Sequence, residues 1–238
     1  MSESKTVLIT GITKGIGRSL AELFAANGFN VAGCARNEKE INAFKADLWN
    51  TYENQRFLIA SVDVSDKIAL QAFASDVLLE FETIDVLINN AGVFIPGSIL
   101  EEADGIFEQI INTNLASAYH LTREIVPSMK ANKQGYIFNI CSTASIMAYP
   151  NGGSYSISKF AMLGMTKVLR EELIEHNVKV TAILPGATLT NSWNGTDLPA
   201  ERFLKPEDIA NTIWNIYNLS DNAVVEEVII RPQLGDLG

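Results

Sequence analysis

Short apolar runs alternating with longer helix-periodic segments restrict this chain more than any other feature. The runs cover residues 7–9, 31–34, 57–60, 86–88, 136–140, 178–184 and 224–230, and their length and composition predict seven strands. Between them, residues 19–27, 38–52, 69–81, 107–130, 156–176 and 206–219 carry apolar residues at spacings of three and four, the pattern of a helix with one buried face. A helix after every strand forces crossover connections, so neighbouring strands run parallel. The runs are apolar almost throughout, which places both faces of the sheet under helices. The expected fold is therefore α/β, one doubly wound parallel sheet of seven strands with helices on both faces. At 238 residues, 47% hydrophobic and 19% charged, the chain has the apolar material for one large core, and no linker, repeat or low-complexity stretch divides it. In open sheets of this kind ligands bind beyond the carboxyl ends of the strands, where the strand order reverses. Functional residues are to be sought just after each strand.

Charge and cysteine usage narrow the partner. Lys and Arg number 18 against 28 Asp and Glu, a net charge of −10, and such a surface repels nucleic-acid phosphates and anionic membranes. A small molecule is the expected partner, with no nucleic acid and no membrane. The opening Met1-Ser2-Glu3-Ser4-Lys5 and the short apolar run after it are too short and too acidic for a signal peptide, which predicts a cytoplasmic protein. Cys34 and Cys141 form no Cys-x-x-Cys pair and have no histidine at ligand spacing, so they read as buried free thiols and no metal is expected. Residues 134–158 are uncharged, yet Asn139, Ser142, Ser145, Asn151, Ser154 and Ser156 make them too polar for a membrane span and point to a buried site.

Four segments at predicted strand ends carry chemistry. After the first strand stands Thr10-Gly11-Ile12-Thr13-Lys14-Gly15-Ile16-Gly17, opening a helix. Glycines there let backbone approach a pyrophosphate, and the helix N-terminus offers free N–H groups and partial positive charge. The turn is neither G-x-G-x-x-G, since Leu20 takes the last place, nor a P-loop, since Lys14 precedes Gly15. By itself it is equally a tight turn and nothing more. Asn89-Asn90-Ala91-Gly92 follows the fourth strand, suited to amide and backbone contacts with a cofactor or to an ordinary turn. Pro185-Gly186 follows the sixth. Ser142 follows the fifth, and thirteen residues on comes Tyr155, with Lys159 four beyond it. With 6 Tyr and 11 Lys, chance alone gives roughly 0.3 such Tyr-x-x-x-Lys pairs, so spacing alone decides little. On a helix, however, positions i and i+4 share a face. An ammonium about 4 Å from a phenol at an effective dielectric of about 20 contributes about 4 kcal/mol, and a pKa unit is about 1.4 kcal/mol, enough to bring a phenol from about 10 toward 7. A tyrosine tuned in this way protonates an alkoxide and reverses the step, while the Ser142 hydroxyl polarises the same oxygen.

Taken together, the Thr-Gly-x-x-x-Gly-x-Gly turn, Asn-Asn-Ala-Gly, the Ser and Tyr-x-x-x-Lys set and Pro185-Gly186 resemble the single-domain short-chain dehydrogenase/reductases, in matching order from Thr6 to about Thr190, and look most like their 3-oxoacyl-ACP-reductase branch. The resemblance implies a Rossmann-type domain over residues 1–238 and an enzyme acting on CH-OH/C=O groups with a nicotinamide dinucleotide. It implies that Gly11, Gly15 and Gly17 cradle the pyrophosphate, that Thr13, Lys14 and Ile16 also belong to the cofactor site, that Asp63 hydrogen-bonds the adenine, and that Asn90 lies along the cofactor. Pro185, Gly186, Thr188 and Thr190 would be cofactor-binding too, with Thr190 on the nicotinamide carboxamide. Tyr155 would be the proton donor and acceptor, Lys159 would lower its pKa and hold the ribose, Ser142 would orient the substrate oxygen, and Asn114 would hold a water feeding a relay to Lys159. A homodimer or homotetramer is implied too. Residues 191–204 would form a short substrate lid, in which Trp193, Leu198 and Phe203 are either an apolar cover or local packing. The tail at 225–232 lacks the paired glycines with which many members end, so no substrate carries over.

A serine hydrolase is disfavoured because Ser142 lies in Ile140-Cys141-Ser142-Thr143, without the glycines of a nucleophile elbow. His120 and His176 fall in predicted helices. A dinucleotide-binding redox sensor needs no tuned phenol, so the set Asn114, Ser142, Tyr155 and Lys159 favours the enzyme. Cofactor preference turns on the end of the second strand. An acid there serves the ribose hydroxyls of NAD(H), and a cation serves a 2′-phosphate. Ala35 stands where the family places its acid, Arg36 follows, and Lys14 adds a second cation, which favours NADP(H) over NAD(H). Glu38 is the residue that would reverse this, giving an NAD-dependent alcohol dehydrogenase. The reading is an NADPH-dependent enzyme reducing a carbonyl to an alcohol.

Overall fold

A computed structural model describes residues 4–190, 193 and 195–237. Its strands β1 (Thr6–Thr10), β2 (Asn30–Ala35), β3 (Phe57–Ser61), β4 (Val86–Asn89), β5 (Gly135–Ile140), β6 (Val178–Pro185) and β7 (Glu227–Ile230) form one sheet in the order β3-β2-β1-β4-β5-β6-β7. Every pairing is parallel. Helices α1 (Gly15–Ala26), α2 (Glu38–Thr51), α3 (Lys67–Phe81), α4 (Ile106–Ile111), α5 (Ser117–Asn132), α6 (Gly153–Leu173) and α7 (Pro206–Tyr217) supply the crossovers. Alternate residues of a strand face opposite ways. Val7 and Ile9 accordingly pack with Leu20 and Phe24 of α1, Phe44 of α2 and Ile213 of α7. Leu8 packs on the other face with Phe73 of α3, Ile125 of α5 and Leu173 of α6. The doubly wound sheet expected from the apolar runs is the one observed.

Departures from the expected elements have local causes. The last strand begins at Glu227 rather than at 224, because the Val225 carbonyl accepts the Thr181 hydroxyl instead of joining the ladder. β7 is an edge strand, paired with β6 alone, and is short with Glu227 and Ile229 outward, as edges that avoid further pairing are. The helix expected over 107–130 is two helices joined by a π-helical turn, Asn112–Ala116. Such turns carry an extra residue and concentrate at functional sites. Here the turn brings Asn114 inward, where it is 1% exposed. Both α1 and α6 start earlier than their periodicity indicates, which puts Gly15 and Tyr155 in first turns. Among the described residues no helix is long and apolar enough to cross a membrane.

The strand order reverses between β1 and β4, and side chains tie the two strand ends together. Thr10 Oγ1 accepts the backbone N–H groups of Asn90 (3.1 Å) and Ala91 (3.0 Å), and Asn90 Nδ2 donates to the carbonyls of Thr10 (2.9 Å) and Gly11 (3.2 Å). Below this latch a buried polar row locks the helices to the sheet. Asn89 Nδ2 donates to Asn139 Oδ1 (2.8 Å) and Thr122 Oγ1 (3.1 Å), and Asn139 Nδ2 donates to Thr166 Oγ1 (2.9 Å). Gly17 fits against the latch only because it has no side chain. A Cβ there would overlap the Gly11 carbonyl oxygen and stand 2.7 Å from Asn90 Nδ2. Gly17→Ala is expected to cost about 1–3 kcal/mol by overpacking, read as a lower urea midpoint at unchanged m-value.

Candidate active site

A cleft of about 440 Å³ opens at the carboxyl ends of the strands above the latch. One wall is the turn after β1 with Gly11, Lys14, Gly15 and Ile16, and the floor is the turn after β4 from Asn90 to Phe94. Ser142, Tyr155 and Lys159 stand at one end, and Pro185, Gly186, Thr188 and Thr190 close the opposite wall.

Each catalytic candidate is held by its element. Ser142 caps a short 3₁₀ turn, Thr143–Ser145: its Oγ accepts the Ala144 N–H at 3.1 Å, while its own N–H donates to Ser145 Oγ at 3.2 Å. Tyr155, in the first turn of α6, meets the Phe94 ring edge-on with centroids 4.9 Å apart. Asn114 joins the cleft floor to α6. Its Oδ1 accepts the Val93 N–H (2.8 Å), and its Nδ2 donates to the Val93 carbonyl (3.0 Å) and to Ser158 Oγ (3.1 Å). Ser158 in turn donates to the Tyr155 carbonyl at 2.7 Å. Lys159, 5% exposed, donates to the Ile140 carbonyl at 2.8 Å.

The electrostatics differ from the i, i+4 expectation. Lys159 Nζ lies 5.8 Å from the centroid of the Tyr155 ring and spends its hydrogen bond on Ile140. Burial pushes the Tyr155 phenol above its ordinary value, the Ser142 hydrogen bond pulls it part of the way back, and the nearby Cys141 thiol adds to the rise. Burial likewise pushes the Lys159 ammonium below its ordinary value, with Cys141 opposing. Ser142, and not Lys159, is the neighbour that favours phenolate in this arrangement. Burial pushes the Cys141 thiol up to about 11 and that of Cys34 to about 12, which disfavours the thiolate at both.

The glycine turn has the form of an anion cradle. Gly11 and Gly15 take φ of +70° and +51°, and a Cβ on Gly15 would stand 2.9 Å from Thr190 Cγ2 across the cleft. Among the described residues no side chain caps the N-terminus of α1, so its first-turn N–H groups face no side-chain acceptor there. Lys14 pairs with Glu40 Oε1 at 2.6 Å, and Thr13 Oγ1 donates to Glu40 Oε2 at 3.4 Å. Arg36 and Asp63 are exposed and stand outside the cleft wall. The Asp63 carboxylate accepts from the Ser65 hydroxyl (2.7 Å) and N–H (3.0 Å), which, with Arg36 nearby, hold it below the usual carboxylate range. Asn90 directs its amide into the latch.

Several lining residues escaped the sequence reading. Phe94 stands two residues beyond the Asn-Asn-Ala-Gly turn, a position that could have flagged it, whereas Met147, Tyr149, Asp236 and Leu237 carry no local signal. The tail folds back over β6: a Cβ on Gly186 would stand 3.0 Å from Pro232 Cδ, and Asp236 pairs with Arg231. In the expected lid, Asn191, Ser192 and Asn194 lie outside the described residues. Trp193 lines the cleft and packs on buried Phe203 with centroids 5.0 Å apart, while Leu198 is exposed.

The chain is similar over most of its length to known proteins. A sepiapterin reductase of Chlorobaculum tepidum is 31% identical over 237 residues, covering 97% of each chain. A 3-oxoacyl-acyl-carrier-protein reductase of Staphylococcus aureus is 28% identical over 228 residues, covering 90% of each. Among solved structures, an alcohol dehydrogenase of Thermococcus sibiricus complexed with 5-hydroxy-NADP superposes with a TM-score of 0.91 at 26% identity, over 99% of this chain and 100% of that one. The L-sorbose reductase of Gluconobacter frateurii, complexed with NADPH and L-sorbose, gives 0.87 at 27% identity over 97% and 96%. Residues 5–199 match the family model described as short chain dehydrogenase. With its cleft placed at the reversal of the sheet, the chain belongs to the short-chain dehydrogenase family of oxidoreductases, which interconvert carbonyl and alcohol groups.

Proposed function

We propose that the protein is an NADPH-dependent reductase that converts a carbonyl to an alcohol reversibly, with Tyr155 as general acid and base. The observation that carries this is that Ser142, Tyr155 and Lys159 line one cleft together with the glycine turn that opens α1. These residues fit a nicotinamide dinucleotide: Gly11, Gly15, Ile16 and Gly17 would hold its pyrophosphate, and Lys159, Thr188 and Thr190 its nicotinamide end. When bound, that group supplies the hydride. The Tyr155 hydroxyl delivers the proton to the carbonyl oxygen, and its phenolate takes one back in the reverse direction. Ser142, fixed by its 3₁₀ turn, orients the same oxygen. Asn114 holds Val93 against α6 and so keeps floor and phenol in register. Phe94, Met147, Tyr149, Trp193 and Leu237 line the substrate side and favour an apolar or aromatic carbonyl compound. A second reading, an enzyme using NAD, is favoured by one feature: Glu40 already neutralises Lys14.

Tyr155→Phe keeps the ring and removes the proton, so turnover should fall by at least about a thousandfold while cofactor affinity in a fluorescence titration stays within about twofold. Retained turnover on a panel of ketones, aldehydes and 3-oxoacyl thioesters would refute the assignment. Ser142→Ala removes the hydrogen bond that lowers the phenol, so the Tyr155 pKa rises further. Alcohol oxidation, which needs phenolate, should then require higher pH. A pH-rate profile that stays put or moves down contradicts this. NADPH should bind at least about tenfold tighter than NADH, a difference of about 1.4 kcal/mol, and Arg36→Ala should remove most of it at fixed ionic strength. Equal affinities in the unmodified protein would select the NAD reading.

A further inference from the structure

The segment between β4 and α4 carries a carboxylate that the chemistry above does not use. Glu102 is half-buried. Its Oε1 accepts the backbone N–H of Ser154 at 2.9 Å, and its Oε2 accepts the Ser154 hydroxyl. Ser154 is the second residue of α6 and directly precedes Tyr155, and the residue before the helix, Gly152, has no side chain with which to cap it. A helix opening leaves N–H groups without partners and carries partial positive charge. A carboxylate brought from 52 residues away answers both.

Glycines make the room for it. A Cβ on Gly153 would overlap Glu102 Oε1 and stand 2.5 Å from the Gly97 carbonyl oxygen, and a Cβ on Gly97 would stand 2.7 Å from Glu102 Cγ. The same stretch is stitched to the approach of α6 by the Gly97 N–H, which donates to the Asn151 carbonyl at 3.0 Å, and by a parallel bridge between Gly97 and Gly152. It begins with Val93, held by Asn114, and with Phe94, whose ring meets Tyr155. One side of the phenol is thus formed by a segment whose far end is pinned to the backbone one residue before the phenol.

We propose that Glu102 is a positioning residue for Tyr155, clamping the first turn of α6 and the Phe94 wall in the arrangement that proton transfer needs. The kinetic part of this rests on Tyr155 being the proton donor, and the structural part does not. The test uses the full chain with Glu102→Ala, Glu102→Gln and Ser154→Ala. Amide hydrogen exchange over residues 150–158 should speed up about tenfold in Glu102→Ala, the equivalent of about 1.4 kcal/mol, with β-sheet peptides unchanged. The turnover number should fall by a similar factor while the cofactor dissociation constant holds. Ser154→Ala should lose part of the same effect, and adding it to Glu102→Ala should change little, because the two groups act as one contact. If Glu102→Ala does not fold, Glu102→Gln and Ser154→Ala are read by the same measurements. Wild-type exchange across 150–158 overturns the clamp, and faster exchange with unchanged turnover overturns the positioning role. Should Tyr155→Phe keep its turnover, the proton-transfer assignment falls alone, and the exchange measurement still decides what Glu102 does.

Discussion

Where the strand order reverses, two parallel neighbours send their following segments in opposite directions, and the polar backbone groups at their ends have no ladder to join. The Thr10 and Asn90 side chains answer that shortage. By satisfying N–H groups on one side and carbonyls on the other, they fix the glycine turn against the β4 turn. Because Asn90 Nδ2 and the Gly11 carbonyl fill the space beside Gly17, the start of α1 is set at a definite distance from the cleft floor. The anion cradle inherits its geometry from this one contact.

The site depends on burial as much as on hydrogen bonding. The row from Asn89 through Asn139 to Thr166 lies in the interior, where the hydrogen bonds of its amide groups offset the cost of burying them, although Asn89 Oδ1 has no partner among the described residues. Lys159 is the extreme case, a nearly enclosed ammonium whose hydrogen bond goes to the carbonyl that ends β5. The same enclosure that disfavours its charge disfavours phenolate at Tyr155. Burial thus acts on both groups in the same sense, toward their neutral forms.

Much of this was legible in the sequence, for reasons tied to particular residues. The parallel sheet followed from apolar strands separated by helices, and Ser142, Tyr155 and Lys159 stood out because each lies directly after a strand or near a helix start. Side-chain pairing across distance was not legible. The i, i+4 rule gave the neighbourhood of Lys159 to Tyr155, but not which acceptor a four-carbon stem would choose. Lys14 read as free for a phosphate until the fold brought Glu40 to it. Asp236 and Leu237 reach the cleft because the tail crosses β6, a long-range contact that no local pattern encodes.

The π-helical turn at Asn112–Ala116 has a bearing on how this chain tolerates length changes. The turn takes one residue more than an α-helical turn and winds more slowly across it, so the extra residue is absorbed where it stands. Leu121, Ile125 and Met129 of α5 therefore face the core as they would after an unbroken helix. Deleting one residue from the turn would restore regular winding and leave that stripe in place, while the bulge that carries Asn114 inward would go. Packing and site are separable at this point: a lineage that shortened the turn by one residue would keep the fold of α5 and lose the inward asparagine.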